Sequence, residues 1–174
     1  MAFMLEKSDA YQLETLVKHQ MSTLPPPLLY SMMNLLGSHD KPRAISVLSG
    51  REKLEGSRGK VDTKPLNGRE YELGKARYIK AFELICALPG MPTVYYGDEA
   101  GMTGADDPYC RGTYPWGRED KELQAEVKRI IWARNSSPVI KAGEAGVRAL
   151  DDSRLEIVRK LDGETVSVVI DNRV

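Results

Sequence analysis

The chain has 174 residues, enough for about one domain with a small appendage and enough to bury a sizeable core. It is 41% hydrophobic and 29% charged, with 25 Lys plus Arg against 25 Asp plus Glu. That balance excludes intrinsic disorder and lacks the clustered cationic surplus of a nucleic-acid binder.

Residues 9–22 place Leu13, Leu16, Val17 and Gln20 at helical spacing behind Ser8 and Asp9, two candidate caps, so a first amphipathic helix is expected there. It must stop before Pro25-Pro26-Pro27. Residues 28–36 are nearly all apolar; part of them suits a helical turn, and residues 32–36 suit a parallel strand buried on both faces. The cluster Gly37-Ser38-His39-Asp40-Lys41-Pro42 ends that strand. Residues 49–70 read as a long polar loop.

A second helix is expected over residues 70–88, ended by Pro89-Gly90, and a short strand over 92–96. Strand, loop, helix, turn and strand make one right-handed βαβ unit, which sets the class as α/β. A Gly- and Asp-rich loop follows over 97–117, then a helix over 119–135 carrying Leu123, Val127, Ile130 and Ile131 on one face. Beyond Pro138 the texture turns to β: segments 143–147, 155–160 and 165–170, separated by Asp151-Asp152 and Asp162-Gly163, read as antiparallel strands.

Two cysteines, Cys86 and Cys110, are too few for a disulfide scaffold, and Cys86 reads as a buried thiol. The apolar N-terminus is too short for a secretory signal, and residues 81–96 are broken by Glu83, Pro89 and Pro92, so no membrane partner is expected. As given, the chain reads as cytoplasmic; a signal peptide on a longer parent is left open.

Three places can carry chemistry. His39 and Asp40 follow a parallel strand, where ligand sites of α/β proteins gather; Asp can face a developing cation and His can donate to a substrate hydroxyl. The same residues also suit a plain turn with Asp as a cap. Tyr95, Tyr96, Asp98 and Glu99 close the next strand. Adjacent carboxylates point to opposite faces, so they read as structural, one of them holding backbone amides or an Arg, while the tyrosines suit either a sugar platform or core. Asp107 and Arg111 can pair and stiffen their loop, or Arg111 can meet a distant carboxylate. His19, His39 and the two cysteines give no transition-metal spacing, and no metal is expected.

The run Met32-Met33-Asn34-Leu35-Leu36-Gly37-Ser38-His39-Asp40-Lys41-Pro42-Arg43 resembles the fourth conserved region of the alpha-amylase family of glycoside hydrolases, especially its neopullulanase and cyclomaltodextrinase branch. Residues 88–102, followed by Asp107-Pro108, Arg111 and Pro115-Trp116, resemble that family's seventh-helix exit and eighth strand. The likeness covers nearly the whole chain. It implies about the last two β/α units of a (β/α)8 barrel, residues 1–138, followed by the beginning of an antiparallel C-terminal β-domain, residues 139–174.

By that resemblance Asp40 matches the carboxylate that stabilises an oxocarbenium-like transition state, and His39 and Arg43 are assigned to substrate binding. Lys41 departs from the family's frequent Thr. The implied parent reaction is retaining hydrolysis of α-glucosidic bonds in starch-derived or cyclic maltooligosaccharides. Such a mechanism needs a nucleophile and an acid about 5–5.5 Å apart; the family takes them from earlier strands, and no G-x-R-x-D pattern occurs here. The chain alone is therefore expected to be inactive, with a missing N-terminal barrel portion and an α-glucan oligosaccharide as partners and an exposed barrel edge suited to a homo-oligomer. A non-catalytic α-glucan-binding or assembly subunit is the alternative. No cofactor is expected; calcium in the parent is not readable, since Asp106 and Asp107 fall short of its oxygen count.

Overall fold

A computed structural model of the chain describes residues 1–52, 54 and 61–174. Helix α1 (Ala10–Thr23) begins at Asp9, whose Oδ1 accepts from the Gln12 amide at 2.7 Å while the Gln12 side chain accepts from the Asp9 amide, a capping box. Short helix α2 (Pro26–Ser31) starts on prolines, where a missing N–H breaks no helical bond. Strand β1 (Met33–Leu35) follows, then α3 (Ala44–Leu48), the long α4 (Gly68–Ala87), capped by Asn67 and Glu70, and strand β2 (Met91–Thr93).

The strands β1 and β2 pair in parallel with Met33 opposite Met91 and Leu35 opposite Thr93, so the βαβ unit is present. Two 3-10 turns occupy the following loop at Asp98–Ala100 and Tyr109–Arg111. Then come α5 (Lys121–Ser136), α6 (Pro138–Ala142) and the antiparallel meander β3 (Glu144–Ala149), β4 (Arg154–Leu161) and β5 (Glu164–Asp171).

One hydrophobic cluster runs through all of this. Tyr78, Phe82 and Ile85 of α4 meet Ile45 and Leu48 of α3, Leu123 and Val127 of α5, and Leu155, Ile157 and Ile170 of the meander. Close approach of α3 to α4 is possible because residue 74 is glycine; a Cβ there would strike the Ile45 carbonyl oxygen. The N-terminus is tied to the meander by the Ala10 amide on the Asp152 carbonyl at 2.8 Å, the Ala149 amide on Glu14 at 2.7 Å and Asn172 on the Phe3 carbonyl at 2.8 Å.

Two buried arginines join the layers without a carboxylate. Arg134 donates to the Cys86 and Gly90 carbonyls, each at 2.6 Å, and Arg159 donates to the Ala87 and Gly143 carbonyls at 2.8 Å. The Cys86 and Ala87 oxygens belong to the last turn of α4, which leaves them without intrahelical donors, and the negative helix terminus favours cations there.

Several expectations need correction. Residues 32–36 are not buried on both faces: Met33 and Leu35 are 59% and 45% exposed, because β1 pairs with one strand and nothing covers its apolar face among the described residues. Leu16 turns outward from α1, and Ile131 lies at the exposed margin of α5. Helices α3 and α6, five residues each, are too short for periodicity to announce. Of the loop expected over 49–70, residues 53 and 55–60 lie outside the described residues, and α4 already begins at Gly68. No helix among the described residues is long and apolar enough to cross a membrane.

Candidate active site

Beyond the carboxyl end of β1 the chain turns through Gly37, Ser38, His39 and Asp40. Both His39 and Asp40 are exposed, and the Ser38 hydroxyl donates to Asp40 Oδ1 at 2.5 Å. That bond, with the neighbouring His39 and Lys41 adding to it, holds the Asp40 carboxyl below its ordinary range, so an anion is kept in water-accessible space at the strand end.

The loop that carries them is cast against the loop after β2. His39 offers its carbonyl to Arg111 Nε at 2.9 Å and to the Cys110 thiol at 3.2 Å. Arg111 in turn pairs with Asp107 at 2.9 Å, which meets the expectation for that pair and adds an anchor that residue types alone did not announce. Sequence gave no signal for Cys110 as a donor; a small buried thiol is chemically silent until its neighbour is known.

Arg43, three residues after Asp40, is fully buried, and its guanidinium turns onto the protein rather than toward solvent. Its Nη1 donates to the Asp98 carboxylate at 3.0 Å and to the Tyr96 carbonyl at 2.5 Å, and the guanidinium carbon lies 4.3 and 4.6 Å from the ring centres of Tyr95 and Tyr96. The two tyrosines are thus cation-binding walls, with Tyr95 half-buried and Tyr96 partly open, rather than pure core.

Asp98 and Glu99 divide as expected for adjacent carboxylates. Asp98 is buried on Arg43, while Glu99 accepts from the Gly97 amide at 2.8 Å. Burial pushes the Asp98 carboxyl up to about 6, outweighing the pull of Arg43. No group of three or more His, Cys, Asp and Glu side chains with metal-binding geometry occurs among the described residues.

A histidine and an anionic carboxylate thus stand together at the carboxyl end of a parallel strand pair, against the loop that follows the next strand. The model for the alpha amylase catalytic domain matches residues 2–143, and the chain belongs to the alpha-amylase family. It is 39% identical over 136 residues to an amylopullulanase of Thermoanaerobacter thermohydrosulfuricus, covering 78% of this chain and 9% of that protein. It is 30% identical over 174 residues to a cyclomaltodextrinase of Geobacillus thermopakistaniensis (strain MAS1), covering 98% of this chain and 26% of that one.

Among solved structures, the cyclic alpha-maltosyl-(1→6)-maltose hydrolase of Arthrobacter globiformis, in complex with cyclic alpha-maltosyl-(1→6)-maltose, superposes with a TM-score of 0.77 at 28% identity, over 94% of this chain and 32% of that one. The chain therefore spans about a third or less of each of these relatives.

Proposed function

We propose that the chain supplies one of the three carboxylates of a retaining α-glucosidase site, with Asp40 as the anion that faces the developing oxocarbenium ion and His39 as the donor to a hydroxyl of the sugar in the cleavage subsite. The observation that carries this is the exposed, ionised Asp40 beside His39 at the carboxyl end of a parallel strand, in a loop held at both ends. An anion fixed there stabilises positive charge at the anomeric carbon without moving during the reaction.

The substrate class we assign is an α-1,4- or α-1,6-linked glucan or its cyclic oligosaccharides, following the relatives' activities. In this reading residues 1–138 form barrel units and residues 139–174 begin a β-domain that seals the end of α4 through Arg159. The other two carboxylates, which attack the sugar and protonate the leaving oxygen, belong to further β/α units, and the open apolar face of Met33, Leu35 and Met91 is the surface those units cover.

The experiment is an assay of reducing-sugar release from maltooligosaccharides, cyclodextrin and pullulan by the purified 174-residue chain. No release above buffer is expected. Release that disappears in D40N would keep Asp40 in its role but show that the site is complete within these residues; release that survives D40N would overturn the assignment.

A further inference from the structure

The segment 37–43 is fixed at three points, and all three anchors come from one stretch, residues 96–111. At its start the Asp98 carboxylate lies against Gly37, where a Cβ would overlap Oδ2. In its middle the His39 carbonyl takes Arg111 and Cys110. At its end Arg43 holds Asp98 and the Tyr96 carbonyl with its side chain, and its amide donates to the Gly104 carbonyl at 3.0 Å. A single buried ion pair therefore grips the loop on both sides of Asp40.

The pair is an expensive fastening. Arg43 Nε and Nη2 are buried without a hydrogen-bond acceptor, the side chains of Arg43 and Asp98 are 0% and 2% exposed, and a buried ion pair commonly holds a fold less well than apolar residues of the same volume. What it offers is direction: a guanidinium fork between two ring faces has one seat, and the backbone on either side of Asp40 follows from it.

We propose that Arg43 and Asp98 are positioning residues for Asp40, the pair setting the conformation of residues 37–43 and thereby keeping the Ser38 hydroxyl on the Asp40 carboxylate. This rests on the reading of Asp40 as a catalytic carboxylate. It assigns to the buried Arg43 an effect on the chemistry that acts through another residue.

The test is carbon-13 NMR of the aspartate carboxyls in the 174-residue chain at about pH 8, where Asp98 is ionised and paired, comparing the unmutated protein with D98N and R43K. In folded molecules of either variant the Asp40 carboxyl signal shifts, because the loop no longer presents the Ser38 hydroxyl. Asp151, held by its local contacts with Ser153 and Arg154 in the turn before β4, keeps its signal. A role in stability alone would lower the unfolding midpoint and leave the Asp40 signal where it was, and an unchanged Asp40 signal in folded variants overturns the proposal.

Should both variants fail to fold, amide exchange in the unmutated chain decides. The Arg43 amide is expected to exchange at least about a hundredfold slower than in an unfolded chain; exchange at the unfolded rate would mean the grip does not exist. These readouts do not involve turnover, so a failed activity reading and a failed positioning role are told apart.

Discussion

The carboxylate of Asp98 rests on the backbone of Gly37 from a position 61 residues further along the chain, leaving no room for a side chain there. Because Asp98 is buried and paired with Arg43, it cannot swing aside. Gly37→Ala is therefore expected to destabilise the chain by about 2 kcal/mol or more, in the range of overpacked cores, whereas Gly146→Ala, with open space around it, should cost no more than about 1 kcal/mol. Urea unfolding of the two variants checks the difference.

The raised Asp98 carboxyl gives the fold a signed pH dependence. Burial moves it from 3.8 to about 6 in the folded chain, so between those values the folded state holds a proton that the unfolded state has lost. This group's contribution is fully present below about pH 4 and is lost as pH rises through 6, a change on the order of 2–3 kcal/mol. Asp98→Asn removes the dependence. The stability of the unmutated chain minus that of D98N should fall between pH 4 and pH 6; a flat difference across that interval would be inconsistent with a raised carboxyl.

How much of this was readable from residues alone differs by element. The start of α1 was legible, since Ser8 and Asp9 stand as caps ahead of an apolar run, and so were the three strands of the meander, with turn residues between them. The place of Asp40 beyond a strand end was legible, because a cluster of turn residues follows the apolar run. The burial of Arg43 was not legible because it depends on Asp98, a partner 55 residues away, and a charged residue in a loop looks the same whether it faces solvent or core. The exposure of Met33 and Leu35 was hidden for a related reason: an apolar strand encodes the neighbours it is made for, whether or not they lie in the same 174 residues.

Arg159 is expected to be the most costly single truncation outside the hydrophobic cluster. Its guanidinium serves the carbonyls of Ala87 and Gly143 at once, linking α4 to the meander. Arg159→Met keeps much of the volume but takes this donor from the Ala87 oxygen and leaves the Gly143 oxygen only the Tyr30 hydroxyl, at a cost of about 2–4 kcal/mol. Chemical denaturation reads it, and Arg148→Met, on the exposed face of β3, serves as the control with a change under about 1 kcal/mol.

The two thiols should be silent in the native chain. Both are buried, and burial raises Cys86 to about 12, so its thiolate is scarce at pH 8. Ellman's reagent is expected to find no fast-reacting thiol under native conditions and both after denaturation. A fast-reacting Cys110 would show that its contact with the His39 carbonyl opens readily in solution.

In the proposed function Asp40 is a working carboxylate of a site whose other parts lie on further β/α units. The direct measurement is co-expression of this chain with a polypeptide carrying the first six β/α units of a cyclomaltodextrinase relative, followed by assay of reducing-sugar release from cyclodextrin. The reconstituted pair is expected to be active and to lose about a thousandfold or more when Asp40→Asn is introduced, because a preorganised charge at the reacting centre is removed. A reconstituted pair that hydrolyses cyclodextrin equally well with Asn at position 40 would contradict it.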